Sequence, residues 1–278
     1  MFYLFKTFTQ MKILLNKTSL TESLRHFSDI GFVPTMGSIH KGHLSLISKS
    51  NQMCKKTVVS IFVNPKQFNN KMDLKKYPKN LKEDVKICRK CKVNYLFLPS
   101  FKEVYSWKVQ SKKKTPKIKN IMEHKYRKGH FKGVIKVIEK LSNIIPASKM
   151  YLGEKDFQQI KVITDYFDIN KVKTKIVKCK TVRDKNGLAL SSRNKLLKKE
   201  NLKKAVNIVN FIKKIKLKNI HSNLKINIIR NYLKKNDVKF DYVQNINLKQ
   251  FNISKNRTIN TRIFFAFYLG TVRLIDNL

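Results

Sequence analysis

The chain is poor in glycine, proline and acid. Among 278 residues there are 8 Gly, 6 Pro, one Trp and 17 Asp or Glu, against 61 Lys or Arg. With so few glycines, each is expected to hold a backbone geometry that other residues cannot. No apolar run approaches the roughly 20 residues needed to span a bilayer; Ile263 to Leu269 is the most continuous. No membrane association is therefore expected. The opening MFYLFKTFTQ has neither a cationic start nor a small-residue cleavage site, so it does not read as a signal peptide. Residues 1–10 are expected to be an extension ahead of Met11, whose MKILL begins the first core strand. The four cysteines are Cys54, Cys88, Cys91 and Cys179. Cys88 and Cys91 have C-x-x-C spacing, but no second pair and no histidine pair at finger spacing accompany them. They read as reduced, incidental thiols of a cytoplasmic protein.

What is abundant is positive charge. The net value is +44, whose first reading is nucleic-acid binding. Its distribution argues otherwise. Only 9 of the basic residues are Arg, and the lysines run through the whole chain rather than along one stripe. Asn and Ile are also abundant, the pattern of AT-rich codons. The expectation is no specific nucleic-acid partner, only weak binding of polyanions that salt abolishes.

Chemistry concentrates around the glycines. Gly31 to Leu46, GFVPTMGSIHKGHLSL, reads as a short strand, a turn at Gly37 and a helix start. That arrangement suits a polyphosphate: the turn frees backbone N–H groups, and a helix N-terminus adds partial positive charge. His40 and His43, three residues apart, are expected on one helical face. There they can donate hydrogen bonds to oxygens that gain charge as a pyrophosphate leaves. Gly42 lets a ligand approach the backbone.

Thr57 to Val63 is a continuous apolar and β-branched run, read as a buried parallel strand. Asn64 and Gln67 follow its carboxyl end, where ligands of open α/β sheets bind. They are placed to hydrogen-bond a small polar substrate. Lys149 to Leu152 leads into Gly153-Glu154-Lys155-Asp156 and repeats the strand, turn and helix start. Lys155 can reach phosphates as a mobile point charge, and Gln159, one helical turn on, can face the same cavity. Ser191, Ser192 and Arg193 suit a phosphate chain, with hydroxyl donors beside a guanidinium fork. Glu83 and Asp84 are adjacent carboxylates that could hold Mg²⁺, although neighbours on a helix diverge.

These strings together resemble the pantothenate synthetase (pantoate–β-alanine ligase) family, of the His-x-Gly-His nucleotidyltransferase superfamily. The likeness rests on Val33-Pro34-Thr35-Met36-Gly37-x-x-His40-x-Gly42-His43, FVNPxQF, RxGHFxGV, GEKDxQQ, GLALSSRN and LGxxRLIDN. It covers essentially all of the chain after Met11. It implies an α/β fold, with a Rossmann-like parallel-sheet nucleotidyltransferase domain and a small C-terminal α+β lid domain. The boundaries are expected at 1–181 and 182–278. The implied reaction joins pantoate to β-alanine through a pantoyl adenylate, using ATP with Mg²⁺ and releasing pyrophosphate and AMP. The resemblance further implies that Met36, Gly37, Gly153, Glu154, Asp156, Val182 and Leu190 line the nucleotide site with His40, His43, Lys155, Ser191, Ser192 and Arg193. Catalysis would fall to His43, His40 and Lys155, with His43 as proton donor. Gln67, Gln159 and Asn64 would bind pantoate, and Glu83 and Asp84 would serve the metal. A homodimer is implied by the family alone. Two departures stand out: Lys136 replaces a small hydroxyl residue, and His124 replaces a glycine.

Other local expectations are a helix over 17–28 capped by Thr21, and an amphipathic helix over Val134 to Ile145. A Lys-rich loop over 108–120 is expected to cover the site. His130 is expected to pack, and Arg127 to face an anion. The rival readings are another His-x-Gly-His nucleotidyltransferase acting on a different acid, and a basic nucleic-acid-binding protein without catalysis.

Overall fold

A computed structural model describes residues 10–107, 113–254 and 260–278. Residues 1–9 of the expected extension therefore lie outside the described residues. The first half of the chain alternates strands and helices: β1 Lys12–Leu14, α1 Lys17–Leu24, β2 Ile30–Thr35, α2 Lys41–Met53, β3 Lys56–Ile61, α3 Lys71–Lys76, α4 Leu81–Lys90, β4 Tyr95–Phe97. It continues with α5 Phe101–Ser106, α6 Met122–Tyr126, α7 His130–Ser142, β5 Lys149–Gly153, α8 Phe157–Ile169 and β6 Lys175–Cys179. The remainder is α9 Lys199–Leu217, α10 Ser222–Lys235, β7 Phe240–Asn247, β8 Asn252–Ile253, β9 Thr261–Leu269 and β10 Val272–Asn277.

Strands β1 to β6 pair in parallel in the order β1-β4-β3-β2-β5-β6. Helices cover both faces, so the inner strands are buried on both sides and read as unbroken apolar runs. Phe32, Val33, Val58 and Val59 are completely buried. From β2 the chain moves to β3 and β4 on one side, then crosses back to β5 and β6 on the other. The strand order reverses at β2 and β5, and a crevice forms beyond their carboxyl ends. Gly31, Thr57 and Lys149 share one register across β3, β2 and β5. The segments after Thr35, Ile61 and Gly153 therefore emerge side by side.

Strands β7 to β10 form a separate antiparallel sheet, in the order β10-β9-β7-β8. Alternation along β9 sends Phe265 and Phe267 toward α9 and α10, where they meet Ile208, Ile212 and Ile229. Phe264 and Ala266 face the other way and pack with Met122 and Phe157 of the first part. This is the small α+β unit that the sequence implies.

Several local expectations change. Helix α1 is capped by Asn16, whose Oδ1 accepts from the Ser19 N–H at 2.9 Å. Thr21 sits inside the helix and its hydroxyl bonds back to the Lys17 carbonyl. Helix α7 begins four residues early, at His130. Of the expected loop over the site, residues 108–112 lie outside the described residues. Its later part runs elsewhere: the Lys114 N–H donates to Asn170 at the carboxyl end of α8, the end opposite the site. Cys88 and Cys91 are free thiols, and burial, with Asp84 nearby, pushes Cys88 up to about 12. Lys136 is exposed on α7.

Candidate active site

A cavity of about 230 Å³ occupies the crevice at the strand carboxyl ends. Pro34 and Thr35 enter it from the end of β2 with Met36 just beyond, Phe62 after β3, Gly153 from the end of β5, and Thr181 with Val182 after β6. Four strands thus aim their ends into one space, which is why the switch point is the site.

His40 is the N-cap of α2 rather than a residue of its first turn. Its Nδ1 accepts from the Gly42 N–H at 3.1 Å, and the His40 N–H approaches His43 Nδ1 at 3.4 Å. The rings lie 4.1 Å apart, tilted by 34°. Their pairing comes from reciprocal capping, not from a shared helical face. Because each Nδ1 is an acceptor, each neutral ring carries its proton on Nε2. Burial lowers His40 to about 4, assisted by Lys155, and lowers His43 to about 3, assisted by His40 and Lys155. Both rings are therefore neutral N–H donors at neutral pH.

The turn's amides are not free, contrary to expectation. The Gly37 N–H donates to Thr35, while those of Ser38 and Ile39 donate to the Asp84 carboxylate at 2.8 and 2.7 Å. The Gly42 N–H is held by His40. The positive end of α2 reaches the cavity through the imidazoles instead.

Lys155 lines the cavity beside Asp156, to which its Nζ pairs at 3.1 Å. Ser192 donates to the Ser38 carbonyl at 3.1 Å, tying the serine segment to the histidine turn. Ser191 caps the Arg193 N–H. Arg193 forks onto Asp73 at 3.1 and 2.7 Å and lies over the Tyr77 ring. Gln67 and Gln159 both line the cavity. Gln67 is held by Asn64 at its Oε1, and its Nε2 reaches Met36 Sδ at 2.9 Å. His130 is buried, and its Nδ1 holds the Gln67 carbonyl at 2.7 Å. Its Nε2 meets Arg127 at 3.1 Å. Burial and then Arg127 lower His130 to about 3, so it too is neutral. It packs, as expected, and also positions Gln67. Arg127 lines the cavity and pairs with Glu123 at 3.3 Å.

Of the expected nucleotide residues, Met36, Gly153, Asp156, Val182 and Leu190 line the cavity with His40, His43, Lys155, Ser191, Ser192 and Arg193. Gly153 has an ordinary φ of −81°, and a Cβ there would meet nothing within 4 Å. Its value is the space it leaves, not a special backbone. Gly37 and Glu154 do not line the cavity. Gly37 makes the turn at φ +79°, and a Cβ would crowd Asp84 Oδ2 at 2.9 Å. Glu154 pairs with Arg262 of the C-terminal sheet at 3.1 Å.

Asn64 does not line the cavity. It is buried, and its amide is filled by Gln67, the Gly133 carbonyl, the Lys66 N–H and the Tyr105 hydroxyl. It builds the turn that presents Gln67, with its polar atoms taken up by protein partners. Glu83 and Asp84 have different surroundings. Asp84 is 3% exposed and clamps the Ser38–Ile39 amides, while Glu83 faces solvent. Among the described residues no cluster of three or more His, Cys, Asp or Glu could hold a metal ion.

Sequence reasoning missed the apolar wall. Val134, Val137, Ile138 and Leu141 of α7 line the cavity, an i, i+3, i+4, i+7 stripe. The periodicity was visible, but periodicity does not separate a core face from a cavity wall. Asp73 and Tyr77 carried no local signal at all.

A cationic rim with paired imidazole donors, set beside an apolar pocket with two side-chain amides, places the chain among the His-x-Gly-His nucleotidyltransferases. Comparison with known proteins narrows the class. The family model described as pantoate-beta-alanine ligase matches residues 4–278, and the chain belongs to that family of ligases. A pantothenate synthetase of Endomicrobium trichonymphae is 39% identical over 275 residues, spanning 96% of this chain and 97% of that one. One from Francisella tularensis subsp. mediasiatica is 39% identical over 263 residues, spanning 93% and 92%. The crystal structure of pantothenate synthetase from Thermus thermophilus superposes with a TM-score of 0.89 at 29% identity, over 96% and 99% of the chains. That of pantoate-beta-alanine ligase from Francisella tularensis, complexed with beta-gamma ATP and beta-alanine, superposes at 0.82 with 38% identity, over 96% and 97%.

Proposed function

We propose that this protein condenses pantoate with β-alanine in an ATP-dependent reaction that passes through pantoyl adenylate. One observation carries the reading: an apolar wall with two amides lies next to a rim of neutral imidazoles and cations. The wall suits the branched carbon of pantoate, and Gln67 and Gln159 orient its polar groups. The pantoate carboxylate attacks the α-phosphorus of ATP, and the bond to pyrophosphate breaks. The Nε2–H groups of His40 and His43 donate to the departing oxygens, where charge accumulates. Lys155, Ser191, Ser192 and Arg193 neutralise the phosphates. The β-alanine amine then attacks the acyl carbon, AMP departs, and the nitrogen loses a proton. The nucleophiles belong to the substrates, so the chain supplies position and electrostatics.

At neutral pH both histidines act as hydrogen-bond donors rather than as proton donors, which revises the role expected for His43. Mg²⁺ would arrive with ATP, held by the phosphates, without Glu83 or Asp84. The division at residues 181 and 182 separates the sheet that binds substrates from the lid. We further propose a cytoplasmic homodimer paired through the larger domain, on the strength of the family alone.

The test is pyrophosphate release from the purified protein with ATP and Mg²⁺. Release should require pantoate and become multiple-turnover only with β-alanine. No release with any combination would send the search to other acids.

A further inference from the structure

Arg193 lines the main cavity with one edge of its guanidinium already engaged. Its Nε donates to Asp73 Oδ1 at 3.1 Å and its Nη2 to Oδ2 at 2.7 Å. A guanidinium carries five N–H donors in one plane. Asp73 takes one from Nε and one from Nη2, which leaves the Nη1 edge for another acceptor. The group also lies over the Tyr77 ring, with Cζ 5.3 Å from the ring centroid. Tyr77 is buried and meets Phe68 edge-on at 5.6 Å. A carboxylate along one edge and a ring against one face together set the direction and the plane of the guanidinium.

The carboxylate stands where it can orient without entering. Arg193 and Tyr77 line the main cavity, and Asp73 does not. Asp73 lies in the first turn of α3, which starts on Asn70, whose Oδ1 accepts from the Met72 N–H at 2.7 Å. The backbone that carries Arg193 is held by other groups. Ser191 accepts from the Arg193 N–H at 3.3 Å, and Ser192 donates to the Ser38 carbonyl at 3.1 Å. The serines therefore place the backbone, and Asp73 places the side chain.

Two simpler roles explain the pair less well. Its side chains are 22% and 34% exposed, and ion pairs that reach solvent add little stability. Nor does Asp73 help to attract ATP, since a carboxylate behind a cation weakens the pull on a polyanion. Orientation is what the contact supplies.

We infer that Asp73 is a positioning residue for adenylate formation: it holds the Nε–Nη2 edge of Arg193 so that the Nη1 edge meets the phosphate oxygens that gain charge as pyrophosphate departs. The inference rests on the reaction proposed above. Asp73 touches no reacting atom. Without it Arg193 still supplies its charge, but the side chain must give up rotamer freedom to meet the transition state.

The test is single-turnover adenylate formation in Asp73→Asn, Arg193→Ala and the double variant. Asparagine keeps the volume but offers one acceptor oxygen, so the fork is lost. The rate at saturating ATP should fall about tenfold in Asp73→Asn, the scale of one hydrogen bond to a charged group. KM for ATP should not rise, because a negative charge near the phosphates has been removed. Tripolyphosphate, as a competitive inhibitor, should bind Asp73→Asn at least as tightly as the parent protein. A segment that had merely come loose would raise KM and weaken tripolyphosphate, and either result would overturn the inference. Adding Asp73→Asn to Arg193→Ala should cause no further loss of rate, because the group through which Asp73 acts is gone. A further tenfold loss there, or an unchanged rate in Asp73→Asn alone, would also overturn it. Absence of pantoate-dependent pyrophosphate release from the parent protein would instead remove the underlying reaction, and the inference with it.

Discussion

At the scale of single residues, the arrangement of the two histidines makes firm demands. His43→Ala removes a preorganised donor to the leaving phosphate and should slow adenylate formation about 10²–10³-fold. Rapid-quench measurement of the first half-reaction reads this directly; near-parental turnover would remove His43 from the mechanism. Lys155→Ala should mainly raise KM for ATP, since a point charge on the phosphates acts before and during transfer. An ATP dependence that did not move would contradict the clamp. Because burial lowers His40 to about 4 and His43 to about 3, both should be neutral throughout pH 6 to 8. Nitrogen NMR of labelled imidazoles should find both protonated at Nε2 only. The pH profile of kcat/KM for ATP should have no inflection near 6.5 from either ring. A ring that titrates near 6.5 would refute the capping assignment.

At the scale of elements, the site depends on turns clamped from a distance. Helix α4 supplies Asp84, which receives two successive amides of the turn ahead of α2. Asp84→Asn keeps the volume but turns an N–H toward one of those amides. It should cost about 1–3 kcal/mol of stability, the penalty for an unmet buried donor, and should also depress turnover by loosening His40. Urea unfolding beside steady-state assays reads both; an unaffected protein would show that the turn holds itself. Helix α7 has the same kind of dependence. It approaches the Gln67 turn so closely that a Cβ on Gly133 would lie 2.2 Å from the Lys66 carbonyl. The apolar wall and the amide that faces it are thereby set at one distance.

At the scale of the whole molecule, a buried ionic bridge joins the second sheet to the first part. Glu123 receives Arg273 at 2.8 and 2.9 Å, Tyr242 at 2.9 Å and Arg127 at 3.3 Å. Burial alone would raise its carboxyl, but Arg273 and then Arg127 hold it at about 2. The acid response follows with one sign. His40, His43 and His130 have folded values well below 6.5, so the unfolded chain binds protons first as pH falls. Stability should drop from about pH 6.5 down to about 4, with a slope approaching three protons. Glu123 adds a further loss below about pH 4.5, as its own lowered value is approached. Thermal unfolding across pH 4 to 8 checks this; a flat profile between 6.5 and 5 would contradict the buried, neutral histidines.

Family, parallel architecture and most of the cavity's polar residues could be read from the order of residues alone. His40, His43, Lys155, Gln159 and the serine–arginine segment lie within short strings, whose strand, turn and helix-start geometry is local. Strand runs buried on both faces were legible for the same reason, since burial leaves a pattern in consecutive residues. Which polar groups remained free was settled only by the folded arrangement. Asn64, Glu154 and Asp84 looked like ligand residues, but each had partners elsewhere: the Gly133 carbonyl, Arg262 and the turn amides. Asp73 meets Arg193 across 120 positions of sequence, which no spacing foretells. The α7 stripe shows the same limit, because an apolar face has one periodicity whether it meets a core or a substrate. Backbone geometry is set by neighbours in sequence, whereas the satisfaction of a buried charge or amide depends on what the fold brings beside it.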